Sequence, residues 1–165
     1  MSDPAATVGR MTPMRQPTVF VTDSPEPDDV ALISDGLDEF NVLKAGINDR
    51  RALAVLVRDP DTQRVVGGLT GRTSLGLLFV DLFYLPSELR GAGLGSEILR
   101  QAEDEGRRRG CRTAVLYTIS FQAPEFYQRN GWQKFGEIPS NPPGTSRVFM
   151  TKDLTELPCR SGTRG

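Results

Sequence analysis

Three glycines at alternating positions, Gly91, Gly93 and Gly95, stand between an apolar run from Leu77 to Leu85 and a helical pattern from Leu94 to Arg109. This order restricts the chain more than any other stretch of it. Glycine admits positive φ and lets a ligand approach the main chain. Amides of the loop and of the first helical turn lack intrahelical acceptors, and the helix dipole adds positive charge there. Such a junction suits phosphate or pyrophosphate. The same glycines also suit a plain tight turn, so their neighbours must decide.

The rest of the chain fills in around that junction. Thr18–Thr22 is β-branched and aromatic and predicts a first strand. Proline and acids at 23–28 start a helix to about Val42, with Val30, Ile33, Leu37, Phe40 and Leu43 at helical spacing. Asp35, Asp38 and Glu39 fall on its polar side, where a solvated face is the plain reading. Residues 52–58, 65–73 and 77–85 predict three strands joined by short turns, an antiparallel meander; the nearly continuous apolar run 52–57 reads as buried on both faces. Gly67 and Gly68 point to a bulge or a close packing partner. After the glycine loop, Leu94, Ile98, Leu99 and Ala102 face inward, and Glu97, Arg100, Glu103, Asp104, Arg107 and Arg108 face water. Arg107–Arg109 followed by Gly110 fits a helix C-terminus better than a nucleic-acid patch. Strand 111–117 follows by a right-handed crossover and runs parallel to strand 77–85. A short helix (124–129) and two strands (132–138 and 146–152) complete the order.

The 165 residues fit one domain, 17–154, with a flexible leader at 1–16 and a loose tail at 155–165. Net charge is −1, which lacks the basic excess of a general nucleic-acid binder. There is no histidine, and Cys111 and Cys159 have no metal-ligand spacing. Zinc sites of the usual kind and Ser-His-Asp or Cys-His catalysis are therefore excluded, and no metal is expected. No secretory or membrane-spanning stretch stands out, so a cytoplasmic protein with free thiols is the default. No Lys-Ser/Thr follows Gly95, which argues against a P-loop.

The run Arg90-Gly91-Ala92-Gly93-Leu94-Gly95 resembles the Arg/Gln-x-x-Gly-x-Gly signature of the GCN5-related N-acetyltransferase (GNAT) superfamily. Ala123-Pro124-Glu125-Phe126-Tyr127-Gln128-Arg129-Asn130-Gly131-Trp132 is similar to that superfamily's Ala-x-x-Phe-Tyr-x-x-x-Gly-Phe/Trp segment. The resemblance covers about Thr18 to Leu154. Two departures stand out: Ser120 where the superfamily often has Asn, and Thr145 where relatives often have His.

The resemblance implies an α/β (α+β) GNAT fold: a mixed central sheet of about six to seven strands flanked by about four helices. The strand before the glycine loop and the strand after its helix are expected to splay apart. It implies an acetyl-CoA-dependent N-acetyltransferase. Arg90, Gly91, Ala92, Gly93, Leu94, Gly95 and Ser96 would hold the pyrophosphate. The backbone of Phe83, Tyr84 and Leu85 would pair with the pantetheine arm, with Ser120 and Phe126 alongside. Tyr127 becomes the general acid at the leaving thiolate; its plain alternative is a core aromatic beside Phe126. Asp81, the lone charge of its apolar strand, is the first choice of general base. Its side-chain parity matches Phe83 and Leu85, and burial would raise its pKa; equally, it could pair with Arg72. Glu88 and Glu125 are weaker candidates. The acceptor pocket would draw on Asp35, Asp38, Glu39, Asp81, Glu137 and the 139–145 loop, an acidic set that suits a cationic polyamine or aminoglycoside-type antibiotic. The alternatives are a peptide or protein acetyltransferase and a non-catalytic CoA-binding module. No nucleic-acid or membrane partner is expected, and a homodimer follows from family habit alone.

Overall fold

A computed structural model describes residues 16–155. The predicted leader, apart from Gln16, and the predicted tail, apart from Thr155, lie outside the described residues. The chain divides into two compact units, Met1–Leu37 and Asp38–Gly165, with the boundary inside helix α1 (Pro27–Ala45). Thr18–Thr22 is not a strand, and Val19, Phe20 and Val21 are exposed. β-Propensity measures fit to a pleated, half-buried surface, and without such a surface it yields no strand. Helix α1 has acids in its first turn and Lys44 in its last, as its dipole favours. None of its residues is buried, and Val30, Ile33, Leu37, Phe40 and Leu43 are all exposed, so the predicted inward stripe is not realised.

The second unit is a mixed six-stranded sheet. Its strands are β1 (Arg51–Arg58), β2 (Val65–Ser74), β3 (Leu77–Tyr84), β4 (Thr113–Ile119), β5 (Gln133–Ser140) and β6 (Thr145–Asp153), in the order β1-β2-β3-β4-β6-β5. The first three form the predicted antiparallel meander. Helix α2 (Leu94–Arg108) crosses from β3 to β4, which pair in parallel as expected. With α3 (Pro124–Arg129) there are three α-helices among the described residues, not four.

Helices α2 and α3 share one face of the sheet. Phe126 of α3 closes over Gly95 at the start of α2, and Gly106 of α2 lies over Leu78 of β3 and over Leu154. The core between helices and sheet contains Leu69, Leu78, Ile98, Leu99, Ala102, Met150 and Trp132, all nearly inaccessible. Each such large side chain contributes about 1.5–3 kcal/mol of burial. The opposite side of the sheet, its far face, is different. In β1, Leu53 is buried while Ala52, Ala54 and Leu56 are exposed, so that strand alternates and is not buried on both faces. On the far face of β4, β5 and β6, Tyr117, Phe149 and Phe135 form an aromatic row with centroids 5.9 and 6.2 Å apart.

One irregularity decides where Asp81 stands. The β2–β3 register passes from Thr70–Leu82 to Gly71–Val80, which leaves Asp81 as the extra residue of a β-bulge. Gly71 makes this possible, because a Cβ there would meet the Phe79 carbonyl oxygen at 2.1 Å. Gly71→Ala is therefore expected to destabilise the fold by about 2 kcal/mol or more. Urea unfolding with an unchanged midpoint would show that the bulge does not depend on this glycine.

The arginines at the end of α2 are committed within the molecule. Arg108 and Arg109 both pair with Glu105, and Arg109 also donates to the Ala52 carbonyl at 3.0 Å. Gly110, at φ +85°, ends the turn. The structure thus agrees with the helix-end reading of this cluster.

Candidate active site

Strands β3 and β4 pair only at Leu77–Thr113, Leu78–Ala114 and Phe79–Val115. Beyond these pairs both strands continue without each other, and the sheet opens into a gap. Phe83 and Tyr84 remain paired to β2 through Leu69 and Gly68, while their β4 side has no strand partner. An extended ligand arm can add there as a strand does. The splay expected from the resemblance is present.

The glycine loop lies at the end of this gap. Gly91 and Gly93 have φ of +87° and +83°, and a Cβ at either would touch nothing within 4 Å. The glycines thus serve the backbone path and leave the space above it open. Gly93 caps α2 without any side-chain bond. Among the described residues, the amides of Gly91, Ala92, Gly93, Leu94, Gly95 and Ser96 donate to no protein acceptor. Open space, unspent donors and a helix dipole together fit a pyrophosphate. Arg90 Nε donates to the Leu85 carbonyl at 2.8 Å, which braces the loop against the end of β3 and leaves the terminal guanidinium nitrogens for an anion. Leu85 itself is buried in the core. Gly95 has a different reason: the Phe126 ring lies 3.3 Å from where its Cβ would be.

Phe126 meets Phe83 edge-on at 5.9 Å and Tyr127 at 5.1 Å, so α3 is fastened to the gap by aromatic contacts. The Tyr127 ring is buried, and Trp132 packs on it at 6.0 Å. Burial pushes the Tyr127 phenol up to about 12. Every fully buried side-chain nitrogen or oxygen among the described residues has a hydrogen-bond partner. The Tyr127 hydroxyl makes no such bond, so it reaches accessible space while its ring does not. The hydroxyl is therefore neutral at physiological pH and free to bond a group from outside the protein.

The acids do not assemble as predicted. Asp81 is exposed, and its carboxylate is paired with Arg72, whose guanidinium lies over the Phe79 ring. The bulge breaks the parity that would have aligned it with Phe83 and Leu85. Asp81 lies on the far face. Glu137 lies on the helix-covered face, where it accepts from the buried Ser146 hydroxyl and from Lys134; these two neighbours hold its carboxyl below the usual range. Asp81 and Glu137 therefore belong to opposite faces. Asp38 pairs with Arg50 at 2.7 Å. Asp35 and Glu39 are exposed on α1, Asp35 in the first unit and Glu39 in the second. Three of the acids expected to attract a cation already hold one, so the charge argument for a polycationic acceptor loses its basis. Ser120 is spent on structure: its Oγ accepts from the Ser146 amide at 3.1 Å and its amide donates to the Ser146 carbonyl at 2.9 Å.

One residue that shapes the site carries no obvious sign of it in the sequence. Glu103, predicted to face water, is 3% exposed. It accepts from Trp132 Nε1 at 3.0 Å and from Lys152 Nζ at 2.6 Å, and Lys152 also donates to the Asn130 carbonyl at 2.7 Å. This buried cluster ties α2, the end of α3 and β6 together directly behind Tyr127. The only sequence signal for it is a carboxylate placed one step from the apolar stripe of α2.

A gap between parallel strands, unspent amides at its end and an unpartnered tyrosine hydroxyl beside it are compatible with an acyltransferase that takes a thioester of a nucleotide-bearing carrier. The chain belongs to the acetyltransferase (GNAT) family, whose model matches residues 18–132, and it is an acetyl-CoA-dependent N-acetyltransferase. An acetyltransferase of Agrobacterium fabrum is 36% identical over 120 residues, covering 73% of this chain and 87% of its own. Blasticidin-S acetyltransferase of Streptomyces morookaense is 41% identical over 91 residues, 54% of this chain and 67% of that protein. The crystal structure of an acetyltransferase from Agrobacterium tumefaciens superposes with a TM-score of 0.75 at 32% identity, covering 82% of this chain and 98% of that one. Among the described residues no helix is long and apolar enough to cross a membrane.

Proposed function

We propose that this enzyme acetylates a primary amine of a small antibiotic-type molecule. The observation that carries the reading is the conjunction of the open β3–β4 gap, the unspent amides of Gly91 to Ser96 and the free Tyr127 hydroxyl. Similarity to blasticidin-S acetyltransferase supports the antibiotic class of acceptor.

When bound, acetyl-CoA supplies an activated acetyl thioester. The reaction breaks its C–S bond and forms a C–N bond; one proton leaves the ammonium and one reaches the thiolate. The protein's part is to place and move those protons. The loop amides and Arg90 would take the pyrophosphate, and the free edge of β3 at Phe83 and Tyr84 would hold the pantetheine amides. The Tyr127 hydroxyl would supply the proton that the leaving thiolate takes up. The proton of the entering ammonium leaves to water on the open far face, where Asp81 stands paired with Arg72. The far face is the acceptor's side, because the loop, α2 and α3 occupy the other.

Free-thiol release from acetyl-CoA tests the reading, with blasticidin S, kanamycin, polyamines and amino acids as acceptors. Turnover with at least one of these small amines is expected. Turnover confined to peptide N-termini or protein lysines would overturn the small-molecule assignment, and no turnover with any amine would overturn the catalytic one.

A further inference from the structure

We propose that Arg147, seated on the Tyr117 ring, is a subsite for a carboxylate that the acceptor carries near its reacting amine. The inference rests on the acetyltransferase reading above and narrows which acceptors that site takes.

Position comes first. The last β3–β4 pair is Phe79–Val115. Two residues farther along, the two strands no longer pair with each other and form the rims of the gap, Asp81 on β3 and Tyr117 on β4. Strand β6 accompanies β4 through this region, pairing Phe149 with Tyr117 and Arg147 with Ile119. In β6, Ser146, Val148 and Met150 are buried, so alternation puts Arg147 and Phe149 on the far face with Tyr117. Arg147 therefore lies on the far face one strand behind the gap's β4 rim, reaching that rim over the Tyr117 ring.

The chemistry is equally specific. The Arg147 guanidinium carbon lies 5.5 Å from the Tyr117 centroid, a cation–π seat that fixes a long side chain without neutralising it. Among the described residues no carboxylate pairs with Arg147, and none of its donors is spent on a protein acceptor. The contrast across the gap is clear, because Arg72 is paired with Asp81. The far face thus offers an acceptor oxygen at Asp81 on one rim of the gap and an unspent planar donor fork at Arg147 behind the other. Guanidinium binds carboxylate through two parallel hydrogen bonds. The matching ligand bears an ammonium and a carboxylate on one short scaffold. The aromatic row of Tyr117, Phe149 and Phe135 gives that scaffold an apolar floor.

The test uses acceptor pairs that differ only in the carboxylate: lysine against cadaverine and ornithine against putrescine, with kanamycin as a carboxylate-free control. Thiol release by the full-length chain is measured at saturating acetyl-CoA. Wild-type kcat/KM is expected to favour the amino acid of each pair by about tenfold or more. Arg147→Gln is expected to collapse that ratio to about twofold or less, chiefly through KM of the amino acids. Arg147→Lys should keep part of it, since the charge survives but the planar fork does not. Equal or better use of the diamines by wild type, turnover confined to kanamycin, or an equal loss on both members of a pair in Arg147→Gln each overturns the subsite while the acetyltransferase reading stands. No thiol release from any amine overturns both. The wild-type ratio needs no variant, so misfolding of a variant cannot rescue the proposal.

Discussion

Tyr127→Phe is expected to lower kcat by roughly 100-fold or more with little change in KM for either substrate, if its hydroxyl protonates the leaving thiolate as proposed. The phenyl ring keeps the packing against Phe126 and Trp132, so the melting temperature should move little. What is lost is one hydroxyl that no protein group uses. A drop of kcat with unchanged KM marks an interaction made only as the reaction proceeds. The pH profile sharpens the test. The donor must be protonated to act, and its pKa is pushed up to about 12, so it stays competent throughout the neutral and moderately alkaline range. An alkaline fall in kcat well below that value would belong to another group. A Tyr127→Phe enzyme that turned over as fast as wild type would remove this hydroxyl from the chemistry and leave Tyr127 as a core aromatic.

Glu103→Ala is expected to cost about 3–5 kcal/mol of stability. The carboxylate accepts from Trp132 and Lys152 deep behind the site, and its loss leaves the indole without an acceptor and the Lys152 ammonium without its counter-charge. Glu103→Gln should cost less, because its amide oxygen can still accept from the indole. Replacing Glu103 and Lys152 together by methionine should be milder than Glu103→Ala, since no buried charge is then left uncompensated. Urea unfolding measures all three. A loss below about 1 kcal/mol for Glu103→Ala would mean that the cluster does not hold α2 to β6.

Glu103 also shows where sequence reasoning stops. Helical spacing on α2 correctly placed Ile98, Leu99 and Ala102 inward, because that pattern is local. The partners that bury Glu103 lie 29 and 49 residues away and meet it only in the folded chain. The glycine loop, the parallel crossover and the splayed gap were legible for the opposite reason: each follows from neighbouring residues or from chain order. Asp81 was misplaced because strict two-residue alternation ignores a bulge, and the bulge is set by Gly71 on the neighbouring strand. Thr18–Thr22 carried the composition of a strand without the pairing that makes one. The acids of the acceptor set were legible as acids, but Arg50, Arg72 and Lys134, which neutralise three of them, come from other turns and strands or from a neighbouring position that only the folded strand brings round.

The sheet's two halves, β1-β2-β3 and β4-β6-β5, are hydrogen-bonded to each other through three residue pairs. A ligand arm bound in the gap as proposed would supply rungs that the polypeptide itself lacks, and so would fasten the halves together as well as present an acetyl group. Whatever binds the folded chain alone also shifts its folding equilibrium, by an amount that grows with concentration over Kd. The enzyme between turnovers is then a looser object than the enzyme during one. Its resistance to unfolding and to proteolysis would follow the supply of acyl donor around it, and starvation for that donor would weaken the catalyst as well as idle it.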